Sequence, residues 1–433
     1  MEIAELHQCF LQCDGVSIDT RNIHPNSLFF ALKGENFDAN EFAQEALDKG
    51  AAYVIMDNKK LITDEKKMLY VPNVLGALQQ LAKFHRKEIG LPIIALTGSN
   101  GKTTTKELIA TVLSSKYKVK ATKGNLNNHI GVPLTLLSFD YETDIGIVEM
   151  GANHKEEISF LCELTDPDYG YITNFGKAHL EGFGGFEGVI KAKSELYDYL
   201  QDYHKTAFVN ADDPRQDAKT LTFDRYTFAV EQEADVQFDL YNAQPNATVS
   251  ISGVTIESNL TGIYNATNIA SAIAIGKYFG VSTEDMKNAI SNYIPTNNRS
   301  QWTMVNNSNI LLDAYNANPS SMEVAISNFI QLQTSQPKIL ILGDMFELGK
   351  ESLKEHHKIV ESLQDNTGIK AIFVGKEFYK QKEERKKDHL LYFESFDNLQ
   401  EYIKSNLDTF QNQSILVKGS RGMALERVLE LLQ

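Results

Sequence analysis

The chain has 433 residues, 42% of them hydrophobic and 23% charged, an ordinary balance for a globular protein and too long for a single core. Its 57 Asp and Glu outnumber 42 Lys and Arg, and a net charge of −15 argues against nucleic acid or an anionic membrane as the main partner. With no signal-peptide pattern, no apolar run near the ~20 residues of a membrane span, and no C-x-x-C pair among Cys9, Cys13 and Cys162, the expectation is a soluble cytoplasmic protein with reduced thiols.

In chain order, residues 27–32 read as a buried strand, 40–49 as a helix closed by Gly50, and 51–56 as a second strand. Residues 73–88 predict an amphipathic helix with Leu75, Leu78, Leu81 and Ala82 on one face. From Leu91 the pattern is that of an α/β nucleotide domain. An apolar strand at 91–96 precedes a helix at 103–115, and further strands fall at 145–148, 169–173 and 206–209. Residues 225–260 are strand-like and suggest an added antiparallel sheet, followed by a helix over 265–279 ended by Gly280. After Trp302, strands at 310–312, 338–342, 371–374 and 414–417 alternate with helices at 320–334, 352–364, 396–407 and 423–432, which implies a parallel sheet. The expected fold is α/β in three domains: a small α/β domain (1–90), a central P-loop-type domain with a mainly parallel sheet (91–300), and a Rossmann-like domain (301–433).

The most informative segment is 97–107, TGSNGKTTTKE. Between strand and helix it places Gly98, Ser99, Asn100, Gly101, Lys102, Thr103 and Thr104, the arrangement that presents backbone N–H groups and a helix N-terminus to a polyphosphate. Lys102 would reach the terminal phosphates and Thr103 a Mg²⁺ ion. Leu96 stands where the full pattern has its first glycine, so a glycine turn capping a helix is the alternative. Polar residues at strand ends fall at the carboxyl edge of a parallel sheet, where such folds bind ligands. On that ground Glu149 and His179 are candidate metal ligands beside Thr103, against a strand-end surface acid and an ordinary loop residue. Lys193, on a helix over 188–200, reads from spacing as a solvated lysine. Asn265 and Asn268 share a helix face and suit an adenine edge or a helix N-cap. Three further segments crowd polar groups at strand ends: DAYNANP (313–319), LGDMFELG (342–349) and KGSRGM (418–423), the last suited to a carboxylate or phosphate.

Together with SIDTR (17–21) and TKGNLNNHIGVP (122–133), these segments resemble the Mur ligases of peptidoglycan synthesis, in the family's order, from about Ser17 to Glu426. Within the family the motifs look like the branch that adds D-alanyl-D-alanine. The resemblance implies ATP and Mg²⁺ as cofactors and UDP-MurNAc-tripeptide and D-Ala-D-Ala as substrates. It also implies a cytoplasmic monomer without nucleic-acid or stable membrane partners. It makes Lys102, Lys193 and His179 catalytic, with Thr103, Glu149, His179 and a carbamylated Lys193 holding metal. Gly98 to Thr104, Asn265, Asn268, Arg299 and Asp313 would hold ATP. Substrate would meet Ser17, Thr20 and Arg21 in a UDP-sugar-binding N-terminal domain, and Asn125, Asn127, Asn128, Tyr315, Asn316, Asn318, Lys418, Ser420 and Arg421 elsewhere. Asn298 precedes Arg299 where the family usually carries glycine. The competing readings are another Mur-type or folylpolyglutamate-type amide ligase, and a non-catalytic nucleotide- or UDP-sugar-binding protein on the same scaffold.

Overall fold

The computed structural model describes residues 1–295, 299–385 and 387–433; Asn298 lies outside them. The expected strands form within two residues of their anticipated ends and sort into separate sheets. A four-stranded parallel sheet runs Val16–Ser17, Leu28–Phe30, Tyr53–Met56, Met68–Tyr70. A seven-stranded parallel sheet has the order Val236–Gln237, Arg225–Ala229, Thr206–Asn210, Tyr169–Ile172, Ile93–Thr97, Ile145–Glu149, Val119–Ala121. Its middle strands are buried along their length, as unbroken apolar runs in a sheet covered on both faces should be. The anticipated antiparallel addition is a three-stranded sheet, Leu240–Asn242, Thr248–Ile251 and Val254–Glu257.

The C-terminal sheet has six strands in the order Gln301–Val305, Ser308–Asp313, Ser414–Lys418, Lys338–Gly343, Ile369–Val374, Leu390–Phe393. All pairings are parallel except the first. Trp302 therefore lies inside an antiparallel edge strand rather than ahead of the sheet. The expected helix over 423–432 does not form as one piece. Ala424 takes a left-handed φ of 46°, which separates a short 3₁₀ turn at Arg421–Met423 from a second at Leu425–Arg427 that leads into the helix Val428–Leu431. The helix expected over 40–49 likewise begins as a 3₁₀ turn, Ala39–Phe42, before Ala43–Asp48.

Helix Val74–Ile89 joins the N-terminal and central parts. Asn73 caps it by accepting from the Gly76 N–H, and Gly90 at φ 65° ends it. Its buried stripe is Val74, Ala77, Leu78, Leu81 and Ala82, with Leu75 only half-buried. That stripe belongs to one continuous core, with Phe30 and Ile55 of the first sheet and Leu137, Phe139 and Leu161 of the central layer. Arg86 fixes the docking. Its guanidinium donates to the Thr165 and Asp166 carbonyls at 2.9 and 2.8 Å and pairs with Asp168 at 2.9 Å. Among the described residues no helix is long and apolar enough to cross a membrane.

Replacing Arg86 by Leu strands buried acceptors at this junction and should cost about 3 kcal/mol of stability. The check is the urea midpoint of unfolding, and an unchanged midpoint would show that the tie contributes nothing.

Candidate active site

The carboxyl ends of the central and C-terminal sheets open onto one cavity of about 820 Å³. Its floor is the turn after strand Ile93–Thr97. Gly98 and Gly101 have φ of +142° and +79°, and neither leaves room for a side chain. A Cβ on Gly98 would lie 2.0 Å from Thr173 Oγ1, and one on Gly101 would lie 2.9 Å from Asn268 Oδ1. Helix Lys102–Leu113 starts from Gly101 without a side-chain cap, so its first N–H groups and the positive end of its dipole point into the cavity. Ser99 Oγ donates to the Gly176 carbonyl at 2.8 Å, and Lys102 Nζ donates to the Gly98 carbonyl at 2.7 Å. Burial lowers the Lys102 pKa and Arg299 adds to this, while Glu149 opposes it.

Glu149 ends its strand beside the loop and is buried. Oε1 accepts from Asn127 Nδ2 at 2.9 Å and from Thr103 Oγ1 at 3.3 Å. Among the described residues no donor satisfies Oε2; the nearest cation is Lys106 Nζ, 3.8 Å away and itself bonded to the Thr122 carbonyl. A buried carboxylate oxygen in want of a partner, with a threonine hydroxyl on its twin, is a donor set that suits a hard cation. Lys193 is fully buried, not solvated as spacing suggested. It donates to the Ala152 carbonyl at 3.2 Å, and its pKa falls well below the lysine range, through burial first and the nearby Lys102 charge second.

The opposite wall comes from the C-terminal sheet. Asp313 and Lys418 end adjacent parallel strands in register and form an ion pair at 2.6 Å, with Lys418 also donating to the Asn316 carbonyl. Arg299 lies over Tyr315, 3.8 Å from the ring centroid. His179, left-handed at φ 51°, lines the same cavity, but its Nδ1 is hydrogen-bonded to Glu347 of the C-terminal domain. Burial lowers its pKa and the Glu347 carboxylate opposes that shift.

Most residues singled out in the sequence meet here: Ser99 to Thr104, Asn125, Asn127, Asn128, Glu149, His179, Asn265, Asn268, Arg299, Asp313, Tyr315, Asn316, Asn318 and Lys418 all line the cavity. Several use their polar atoms on neighbours. Asn128 Oδ1 accepts from the N–H groups of Ile130 and Gly131, and Asn265 donates to the Thr261 carbonyl and accepts from Asn268. The N-cap of helix Ile263–Tyr278 is Gly262, so capping is not what the two asparagines do. Ser17, Thr20 and Arg21 are not part of the cavity: the Ser17 hydroxyl bonds within its own turn and Arg21 pairs with Asp19 at the surface. Ser420 is buried under the cavity wall, accepting from the Phe346 N–H, and Arg421 is exposed and paired with Glu426. Lys106, Thr122 and Glu347 escaped the sequence reading as site residues. Lys106 and Thr103, three apart on one helix, were the available signal; Thr122 follows a three-residue strand too short to recognise.

Family models match in order along the chain: the Mur ligase family catalytic domain over residues 12–86, the Mur ligase middle domain over 96–276, and the Mur ligase glutamate ligase domain over 298–421. The chain is 35% identical to the UDP-N-acetylmuramoyl-tripeptide–D-alanyl-D-alanine ligase of Bacillus subtilis, covering 96% of this chain and 92% of that protein. To the enzyme of the same name from Escherichia coli it is 32% identical, with 99% and 96% covered. The crystal structure of MurF from Acinetobacter baumannii superposes with a TM-score of 0.86 at 29% identity, over 99% of this chain and 98% of that one. MurF ligase from Thermotoga maritima, solved in complex with ADP, shares the fold at a TM-score of 0.83 and 24% identity, over 98% and 97%. The resemblance carried by the motifs is borne out along the whole length, and the chain belongs to the Mur ligase family.

Proposed function

We propose that this chain is the ATP-dependent ligase that joins D-alanyl-D-alanine to UDP-N-acetylmuramoyl-tripeptide, working in the cytoplasm as a monomer. One observation carries the reading. A glycine loop with Lys102, and a buried carboxylate with an unsatisfied oxygen, share a single cavity with the Asp313–Lys418 wall of the other sheet. ATP lies with its phosphates on the loop from Gly98 to Thr104 and its nucleoside toward Asn265, Asn268, Arg299 and Asp313. The tripeptide's terminal carboxylate attacks the γ-phosphorus, giving an acyl phosphate and ADP. The amine of D-Ala-D-Ala then attacks the acyl carbon, phosphate leaves, and the amine proton passes to solvent. Both steps gather negative charge, so Lys102 acts by electrostatic stabilisation and the loop N–H groups by positioning. Glu149, Thr103 and His179, with a carbamylated Lys193, would hold Mg²⁺, which would supply further charge neutralisation at the phosphates.

Lys193 fits the carbamate that the family resemblance implies. Burial and the Lys102 charge favour the neutral amine, the form that can add to CO₂ with loss of a proton, and the resulting anion is favoured by the same neighbouring Lys102. The UDP-sugar end lies on the N-terminal domain, with Ser17, Thr20 and Arg21 reached by the substrate outside the reaction cavity.

The deciding experiment is phosphate release from ATP and Mg²⁺ with UDP-MurNAc-tripeptide, with and without D-Ala-D-Ala. Release dependent on both, with a pentapeptide product by mass, is expected; release only with glutamate and a folate would transfer the chain to the folylpolyglutamate-type reading. Lys102→Ala should lower kcat by about 10²–10³-fold with an unchanged melting temperature, and near-normal turnover would remove the lysine from the mechanism. In buffer depleted of CO₂, turnover should fall and recover on adding bicarbonate, whereas indifference to bicarbonate would speak against the carbamate.

A further inference from the structure

The phosphate loop is gripped from two sides. From the central domain, Asn174 accepts from the Asn100 N–H at 3.1 Å, and the Asn100 carbonyl accepts from Thr173 Oγ1 at 2.6 Å and Asn174 Nδ2 at 2.9 Å. From the C-terminal domain, Asn318 Nδ2 donates to the Asn100 side-chain carbonyl at 2.6 Å. Asn318 is the N-cap of helix Pro319–Gln331, its Oδ1 accepting from the Ser321 N–H at 2.9 Å. One amide therefore does two jobs with two different atoms: the oxygen starts a helix and the nitrogen holds the phosphate loop of the other domain. The contact is built rather than incidental. Gly176 sits where the two domains meet, where a Cβ would lie 2.7 Å from Asn100 Nδ2 and 3.3 Å from Ser320 Cβ, two residues after Asn318. Beside it the Lys177 N–H donates to Ser320 Oγ at 2.9 Å, and Lys177 Nζ pairs with the buried Glu355 at 3.1 Å.

We propose that Asn318 is a positioning residue for phosphoryl transfer: through Asn100 it sets the phosphate loop only while the C-terminal domain is docked, so that ATP is activated in the closed cavity. This rests on the ligase reading above. The central-domain grip through Thr173 and Asn174 keeps the loop folded in either arrangement, so nucleotide binding does not need Asn318. The transferred phosphoryl group does, because a loop whose central side chain is free to turn places the γ-phosphate less well. The Asn318–Asn100 bond thereby ties the timing of acyl phosphate formation to exclusion of water.

The test exploits the division of labour within the amide. Asn318→Asp keeps a cap acceptor for the Ser321 N–H but loses the donor and sets a carboxylate against the Asn100 oxygen. Asn318→Ser keeps a cap hydroxyl and removes the bond without adding charge, which covers the case of an aspartate variant that folds poorly. Both are compared with wild type for melting temperature, ADP dissociation constant by calorimetry, and phosphate release dependent on D-Ala-D-Ala. The expected result is a kcat lowered about 10- to 100-fold, with the melting temperature held and the ADP constant within about threefold of wild type. A kcat equal to wild type in either well-folded variant would overturn the proposal. A loss of ADP affinity matching the loss of kcat would overturn it too, because Asn318 would then be a nucleotide contact. Wild-type protein that releases no phosphate under these conditions would overturn the ligase reading and this inference with it.

Discussion

The glycine turn after strand Ile93–Thr97, which leaves its backbone N–H groups bare at an uncapped helix start, governs the rest of the molecule. Such a turn must expose its N–H groups, so it can carry no bulk and gains little from packing of its own. The structure compensates by pressing neighbours onto it: Thr173 against Gly98, Asn268 against Gly101, and Asn174 on Asn100. Two elements distant in sequence, the loop after strand Tyr169–Ile172 and the helix Ile263–Tyr278, hold one turn of four residues still. Their own positions follow from the parallel sheet, which brings the ends of strands Ile93–Thr97 and Tyr169–Ile172 side by side, and from the helix Ile263–Tyr278 packed across it.

Around the loop, the electrostatics consist of buried charges that answer one another. Burial and the Lys102 charge depress the Lys193 pKa while Glu157 and Glu195 oppose this, and Lys106 stands 3.8 Å from the buried Glu149. The cavity lining is mixed in charge, with Lys102, Arg299 and Lys418 set among Glu149, Glu157, Asp213 and Asp313.

The cavity is closed by a second sheet whose carboxyl edge faces the first. Asp313 and Lys418 neutralise each other there, leaving hydrogen-bonding groups and the Arg299–Tyr315 stack as the features presented to a ligand. His179, Lys177 and Asn100 on one side are each matched by Glu347, Glu355 and Asn318 on the other. The apolar core runs continuously through all three parts of the chain, and Arg86 adds its polar tie at the N-terminal junction.

Periodicity was enough to place the alternating strands and helices, because parallel strands buried on both faces leave unbroken apolar runs and glycines mark their ends. The glycine turn was legible for the same local reason, since its glycines, lysine and threonines fall within one turn. Short strands such as Val119–Ala121 and the broken terminal helix were not, because three residues carry no period and the left-handed Ala424 has no signature in its side chain. Lys193 shows the boundary most clearly. Its spacing on an amphipathic helix gave it to solvent, and only the packing of that helix against Phe183 and Ala152 decided that its amine lies buried. Pairings such as Asn127 with Glu149, His179 with Glu347 and Asn318 with Asn100 join residues 22, 168 and 218 positions apart. Local sequence determined which strand end or loop each residue occupies; which partner it meets depended on how the sheets stack and on which carboxyl edges they turn toward each other.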